Sequence, residues 1–242
     1  MNKLYVVGIG PGEAEAMTIK AMNALKDSDV IVGYGVYTDL VKPLFPEKEY
    51  ITTPMKREAE RCVMAVEEAL KGKTVSMISS GDAGVYGMSG PILEIAADKD
   101  VEVIVVPGVS ACLSGGAVLG APLTHDFAVI SLSDLLTPWD KIEKRLRMAA
   151  EADFCIAIYN PSSMKRADYL QKACDIMMES KKPETVCGIV RNIGREGEEY
   201  KLMTLAELRD YKADMFTTVF VGNEMTKIAG GRMVTPRGYK NV

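Results

Sequence analysis

Along the chain, short β-branched runs alternate with longer stretches in which apolar residues recur every three or four positions. Residues 4–9 and 30–32 read as strands. Between them, residues 13–26 place Met17, Ala21, Met22 and Leu25 on one helical face. Residues 58–71 read as a helix with Val63, Val66 and Leu70 inward, ended by Gly72. Strands at 74–78 and 101–106 complete a set that is apolar at consecutive positions. Such strands need cover on both faces, which is the condition of a parallel sheet between helices. The first half therefore reads as α/β.

Past Gly120-Ala121-Pro122 the rhythm changes. Strands are expected at 127–132, 154–159, 185–190, 201–204 and 217–221, with helices at 139–152 and 164–179 separating the first three. The later strands follow one another closely, which predicts a mixed sheet with an antiparallel part. These patterns predict two α/β domains, 1–120 with a parallel sheet and 121–242 with a mixed one, and a ligand in the cleft between them. An uncharged stretch at 103–124 is long enough to cross a bilayer. Pro107-Gly108, Gly115-Gly116 and Pro122 interrupt it, so a buried strand, a loop and a core helix are the better reading.

The composition of the 242 residues, 48% hydrophobic and 26% charged, is that of a globular protein and excludes disordered, collagen-like and coiled-coil classes. A net charge of -4 argues against a nucleic-acid or membrane-surface binder that works through bulk charge. Cys62, Cys112, Cys155, Cys174 and Cys187 lie far apart with no C-x-x-C pair and read as reduced thiols. With His125 the single histidine, no zinc or iron–sulfur ligand cluster is expected. The start, Met1-Asn2-Lys3, runs into a strand without the apolar core of a signal peptide, so a cytoplasmic protein is expected.

Three loops carry candidate chemistry. Gly8-Ile9-Gly10-Pro11-Gly12 follows the first strand, where a dinucleotide-binding protein keeps its phosphate loop. The fingerprint fails: Glu13 stands where its last glycine belongs, and no acidic residue closes the second strand. Pro11 removes an amide donor, and Glu13 places negative charge at the loop's exit. Gly10, Pro11 and Gly12 are better suited to a ligand that is not a dinucleotide, or to a tight turn alone. Ser79-Ser80-Gly81-Asp82-Ala83-Gly84-Val85-Tyr86-Gly87 also follows a strand and is dense in small residues, so backbone can approach a ligand closely. Asp82 could face that ligand or cap a helix. Pro107-Gly108-Val109-Ser110-Ala111 repeats the arrangement at the next strand end. Gly72-Lys73-Thr74 lacks the upstream glycine of a nucleotide-binding loop and reads as a helix stop.

These motifs, in this order and with Tyr159-Asn160-Pro161 after a later strand, resemble the tetrapyrrole (corrin/porphyrin) methylase superfamily over the whole chain. Thr53-Pro54-Met55-Lys56-Arg57-Glu58, Ser80-Gly81-Asp82-Ala83-Gly84-Val85-Tyr86-Gly87-Met88, His125-Asp126-Phe127, the segment from Ser131 through Asp134 to Trp139, and Thr235-Pro236-Arg237-Gly238-Tyr239 are similar to the C17-methyltransferases of cobalamin biosynthesis. The resemblance implies two α/β domains with S-adenosylmethionine in the cleft between them and a tetrapyrrole substrate. It implies cofactor contacts from Ser80, Gly81, Asp82, Val85, Ser110 and Ala111, and from Tyr159, Asn160 and Asn192 in the second domain. A homodimer is expected on the same ground. No C-terminal extension is seen, so the iron–sulfur appendage of some relatives is expected to be absent.

Methyl transfer from a sulfonium needs alignment and exclusion of water more than a nucleophile–base pair, and the sequence offers no obvious pair of that kind. A macrocycle fringed with carboxylates needs donors. Lys56, Arg57 and Arg61 cluster at one helix start, and Arg191, Arg195 and Arg237 fall near ligand loops; each could equally be a solvated surface charge. His125, Ser131 and Asp134 are candidates for proton handling during ring contraction. Two other readings stay open: the same fold acting on a macromolecule, either a diphthamide precursor or ribosomal RNA, and a non-catalytic S-adenosylmethionine binder. The negative charge weighs against RNA. The Lys56-Arg57 and Ser131-to-Trp139 segments weigh against a bare sensor.

Overall fold

The computed structural model describes residues 2–163 and 166–240, arranged as two compact units, Met1–Ala111 and Cys112–Val242. In the first unit, strand β1 (Asn2–Gly8) leads to helix α1 (Ile19–Asp27), then β2 (Val30–Tyr34), α2 (Gly35–Val41) and β3 (Glu49–Thr53). Helix α3 (Glu58–Leu70), β4 (Val75–Ser79), α4 (Ser89–Ala96) and β5 (Val101–Val106) follow. All five strands are parallel, in the order β3-β2-β4-β1-β5.

Side-chain alternation explains why this sheet is covered twice. Leu4, Val6, Val30, Val32, Val75 and Met77 pack on one face against α3 and α4. Val7, Ile9, Ile31, Ile78 and Val106 pack on the other against α1 and α2. Each strand is thus apolar at successive positions, as parallel strands between helices must be.

In the second unit, helix α5 (Ala111–Leu119) and the short strand β6 (Gly120–Ala121) precede β7 (Phe127–Ser131), α6 (Trp139–Glu151), β8 (Cys155–Tyr159) and α7 (Tyr169–Met177). Strands β9 (Val186–Arg191) and β10 (Glu199–Thr204), helix α8 (Leu205–Arg209) and β11 (Thr217–Val221) complete the main sheet, ordered β10-β9-β11-β8-β7. Strands β7, β8 and β9 run the same way, with β11 antiparallel between β8 and β9. The expected mixed sheet is therefore present. A small third sheet joins β12 (Lys227–Ala229), β13 (Arg232–Val234) and β6.

The uncharged 103–124 stretch divides into the end of β5, a loop, α5, the short β6 and the turn after it. Among the described residues, no helix is long and apolar enough to cross a membrane. Gly115 and Gly116 do not break α5. A Cβ on Gly115 would lie 2.9 Å from Ile193 and 3.0 Å from Phe220, so glycine lets the helix sit on the sheet of its own unit. Gly120, the expected boundary, lies at the far end of this helix.

Other expectations needed adjustment. The helix expected over 13–26 begins only at Ile19, because the Thr18 hydroxyl accepts the Ala21 N–H at 3.1 Å and caps it there. Residues 14–16 form a separate 3-10 turn. Val63 and Leu70 are exposed; α3 buries Arg61, Cys62, Ala65, Val66 and Ala69 instead. The expected start of a helix at Met164 falls outside the described residues, and α7 begins at Tyr169. Strand β3 and helices α2 and α4 had no strong signal: α2 starts on glycine and is rich in β-formers, and α4 carries Gly90 and Pro91 in its first turn.

All five cysteines are free and buried. Burial pushes the Cys62 thiol up to about 11 and Cys174 up to about 12, and it raises Cys187 as well. Thiolate is the reactive form, so these side chains are packing residues. An aromatic disulfide reagent should titrate all five thiols rapidly in denaturant and leave the native protein nearly unreacted; fast native labelling, followed by absorbance, would contradict this packing.

Candidate functional site

The first candidate site is the carboxyl edge of the parallel sheet, where open α/β sheets bind ligands. Three loops leave β1, β4 and β5 there, and they pack backbone on backbone. A Cβ on Gly8 would lie 2.7 Å from both Gly108 N and Gly81 O, and one on Gly108 only 2.2 Å from Gly81 O. Gly10 and Gly81 exchange backbone hydrogen bonds at 3.0 and 2.7 Å. Gly81 itself is different: its φ of +68° favours glycine, while its Cβ direction is open to 3.5 Å.

Asp82 locks these loops together. One carboxylate oxygen accepts the N–H groups of Gly84 at 2.8 Å and Val85 at 3.2 Å; the other accepts Gly108 N–H at 3.0 Å. Its acceptor capacity is largely spent inside the protein, so it supports the loops and is not positioned as a free ligand contact. Around it, Ser80 and Ala111 are half-buried, Ser110 is buried, and Val85 and Tyr86 are exposed. Tyr86 also adopts a φ of 55°, unusual for a residue with a side chain. The Gly10-Pro11-Gly12 loop lies alongside through the Gly10–Gly81 pairing.

The basic segment after β3 separates into two environments. Lys56 and Arg57 are exposed, with Arg57 Nε on Glu60 at 2.5 Å. Arg61, expected beside them at the surface, is buried at 4% exposure because it sits on the inward face of α3. Its guanidinium lies 5.9 Å from the Tyr34 ring centre.

In the second unit the ends of β7, β8 and β9 share one sheet edge. Asn160 and Asn192 each follow a strand there with left-handed φ values of 52° and 53°, a conformation that asparagine tolerates. Asn160 Nδ2 donates to Ser131 Oγ at 2.9 Å, and the Tyr159 hydroxyl accepts Cys112 N–H at 2.7 Å. Asn192 Nδ2 reaches Gly197 O at 3.4 Å. Ser131, Tyr159 and Asn160 are therefore one cluster. Asp134 is engaged nearby: it accepts the Tyr169 hydroxyl at 2.7 Å and lies 3.5 Å from Arg166. That hydrogen bond raises the Tyr169 pKa.

Arg191 is held by Asp214 at 2.7 Å and Glu199 at 3.4 Å, and the Asp214 hydrogen bond raises its pKa further. His125 precedes β7 while Ser131 ends it, so roughly 20 Å of extended chain separates them at about 3.3 Å per residue. The three candidates for proton handling do not converge on one point. His125 Nδ1 accepts the Asp126 N–H at 2.9 Å, which leaves Nε2 to carry the proton of the neutral ring. With Arg237 it lines a cavity of about 370 Å³. Thr235 anchors the chain just past β13: its hydroxyl donates to Pro122 O at 2.7 Å and pairs with Thr226 Oγ1 at 2.8 Å. Among the described residues, no group of three or more His, Cys, Asp or Glu could hold a metal ion.

Against known families, residues 3–209 match the model of the Tetrapyrrole (Corrin/Porphyrin) Methylases. The chain belongs to the tetrapyrrole methylase family. A probable cobalt-factor III C(17)-methyltransferase from Salmonella typhimurium is 49% identical over 98% of this chain and 99% of its own. A precorrin-3B C(17)-methyltransferase from a Sinorhizobium species is 41% identical, over 98% and 96%. Among solved structures, the methyltransferase CobJ superposes with a TM-score of 0.90 at 34% identity, covering 98% of this chain and all of that one.

The loops of this tetrapyrrole methylase fit a sulfonium cofactor. Residues 8–12, 79–89 and 106–111 contain no Lys or Arg, so nothing there repels a positive sulfur, and a pyrophosphate would find no counter-charge. Their small residues leave backbone N–H and C=O groups able to approach a polar ligand closely.

Two tests follow from the geometry. Gly108→Ala would press a methyl group onto Gly81 O, so it should destabilise the first unit by about 1–3 kcal/mol. A denaturant titration that finds stability unchanged would refute the close packing of these loops. Asp214 concerns pH. Burial raises its carboxyl, but hydrogen bonds from Arg191, Thr217 and the Phe216 N–H outweigh that and hold it below the usual value of 3.8. Its stabilising contribution is thus present above the unfolded-state pKa and lost as pH falls through the folded-state value. Asp214→Asn should lower stability at pH 7 and flatten the decline from about pH 5 downward in denaturant titrations; an unaltered acid limb would show that the pair does not contribute.

Proposed function

We propose that this tetrapyrrole methylase transfers a methyl group from S-adenosylmethionine to C17 of a cobalt-factor III or precorrin-3B macrocycle, with ring contraction, in cobalamin biosynthesis. What carries the reading is end-to-end similarity, at 49% and 41% identity, to relatives named for that C17 reaction. Similarity of this extent, with substrate-side motifs included, favours a tetrapyrrole over a protein or RNA substrate and over a sensor without catalysis.

When bound, S-adenosylmethionine supplies an electrophilic methyl group on a sulfonium; the protein has to orient it and exclude water. Ser80, Gly81, Val85, Ser110 and Ala111 are assigned to the cofactor, with Asp82 fixing the loops that present them. Tyr159, Asn160 and Asn192 are further proposed cofactor contacts, on the family resemblance. Ser131 is the proton-handling candidate best supported, since it shares a sheet edge and a hydrogen bond with Asn160. Lys56 and Arg237 are exposed and open to substrate carboxylates, whereas Arg57, exposed but paired with Glu60, and Arg191, paired with Asp214, would first have to leave those partners. A cytoplasmic homodimer is the proposed working form, to be checked by sedimentation at micromolar concentration.

The deciding experiment supplies purified protein with methyl-labelled S-adenosylmethionine and, in separate reactions, cobalt-factor III and precorrin-3B. One of the two tetrapyrroles should gain a single labelled methyl group by mass. Label on neither, or on added RNA or protein instead, would reject the assignment.

A further inference from the structure

We propose that Arg61, Thr53 and Tyr34 form a pocket for one carboxylate of the substrate, in which Glu58 is the chain's own competing carboxylate. This inference rests on the tetrapyrrole reading above and names one subsite of it. Arg61 is 4% exposed, and its buried Nε has no hydrogen-bond partner. Thr53 is 6% exposed, and its buried Oγ1 also has none. Buried polar atoms are nearly always paired, and an unpaired donor on a cation is especially unfavourable. Two such orphans at one place therefore point to a missing anionic acceptor.

The place is well defined. Tyr34 and Thr53 are the last residues of β2 and β3 and stand opposite each other in the ladder. The Arg61 guanidinium lies 5.9 Å from the Tyr34 ring centre, so the cation rests by the aromatic ring at the carboxyl edge of the sheet. The carboxylate that approaches it is Glu58, 4.0 Å from Nη2 and so beyond hydrogen-bond reach, half-exposed, and also accepting the Lys56 N–H at 3.2 Å. A ligand carboxylate that replaced it could take the Nε–Nη edge with two oxygens, and the Thr53 hydroxyl could donate as well. Lys56 and Arg57, exposed on the same turn, would draw polyanions toward the pocket.

Binding titrations with cobalt-factor III, precorrin-3B and, separately, S-adenosylhomocysteine test this on wild type, Arg61→Gln, Thr53→Val and Glu58→Gln. Arg61→Gln should weaken tetrapyrrole binding roughly tenfold to hundredfold and Thr53→Val by a few fold. Glu58→Gln, which removes the competitor but keeps the shape, should tighten it. S-adenosylhomocysteine should bind all four proteins equally. If Arg61→Gln fails to fold, the opposite signs of Thr53→Val and Glu58→Gln still decide. Wild-type binding of either tetrapyrrole with both of these variants unchanged would overturn the pocket alone; binding of neither tetrapyrrole by wild type would overturn the tetrapyrrole reading and the pocket with it.

Discussion

The close backbone packing of three loops at one sheet edge is the constraint on which the first unit's site depends. Gly8 and Gly108 face Gly81 O at distances that no side chain could occupy, and Asp82 adds a carboxylate that ties the loop after β4 to the one after β5. Strand order makes this possible: β4, β1 and β5 are neighbours, so their exits converge. Loops held by backbone contact present main-chain polar groups in fixed directions, which is a preorganised surface for a small polar ligand.

The second unit reaches a comparable end by a different device. There the turns after β8 and β9 are made by asparagines in left-handed conformation, and side-chain amides then bond across the edge to Ser131 and Gly197. Strands β7, β8 and β9 run the same way, with β11 antiparallel between β8 and β9, so the ends of the three lie on one side of the sheet. Ser131, Asn160 and Asn192 are thus gathered at one edge, and His125 is excluded from it by lying before the strand that Ser131 ends.

Much of this was legible from periodicity. The doubly covered parallel sheet showed itself in consecutive apolar positions, and the mixed sheet in the closer spacing of later strands. What escaped was carried by tertiary context. Helix α2 and strand β3 lack a strong local pattern, so the Tyr34–Thr53 pairing at their sheet edge could not be seen, and Arg61 looked like one more surface charge. Only the inward face of α3, set by Cys62, Ala65, Val66 and Ala69, places it inside. Asp82 could be placed at a strand end from its motif, but its three donors come from distant and local backbone at once. The mismatch of Val63 and Leu70 has the same origin: helical period fixes a stripe, and the neighbours decide which stripe is buried.

The first sheet also sorts charge along its carboxyl edge. Loops after β1, β4 and β5 contain no Lys or Arg, while the exits of β2 and β3 lead to Tyr34, Thr53, Lys56, Arg57 and Arg61. A single ligand of one sign would not need both halves. A cationic methyl donor favours the first and is repelled by the second; a polycarboxylate acceptor has the opposite preference. On the proposed reading, this separation keeps each ligand out of the other's place while leaving them next to one another. Alignment then follows from the strand order itself, since β4 is the shared boundary between the two halves. The residues that would distinguish donor from acceptor are therefore assigned by topology before any side chain touches either ligand.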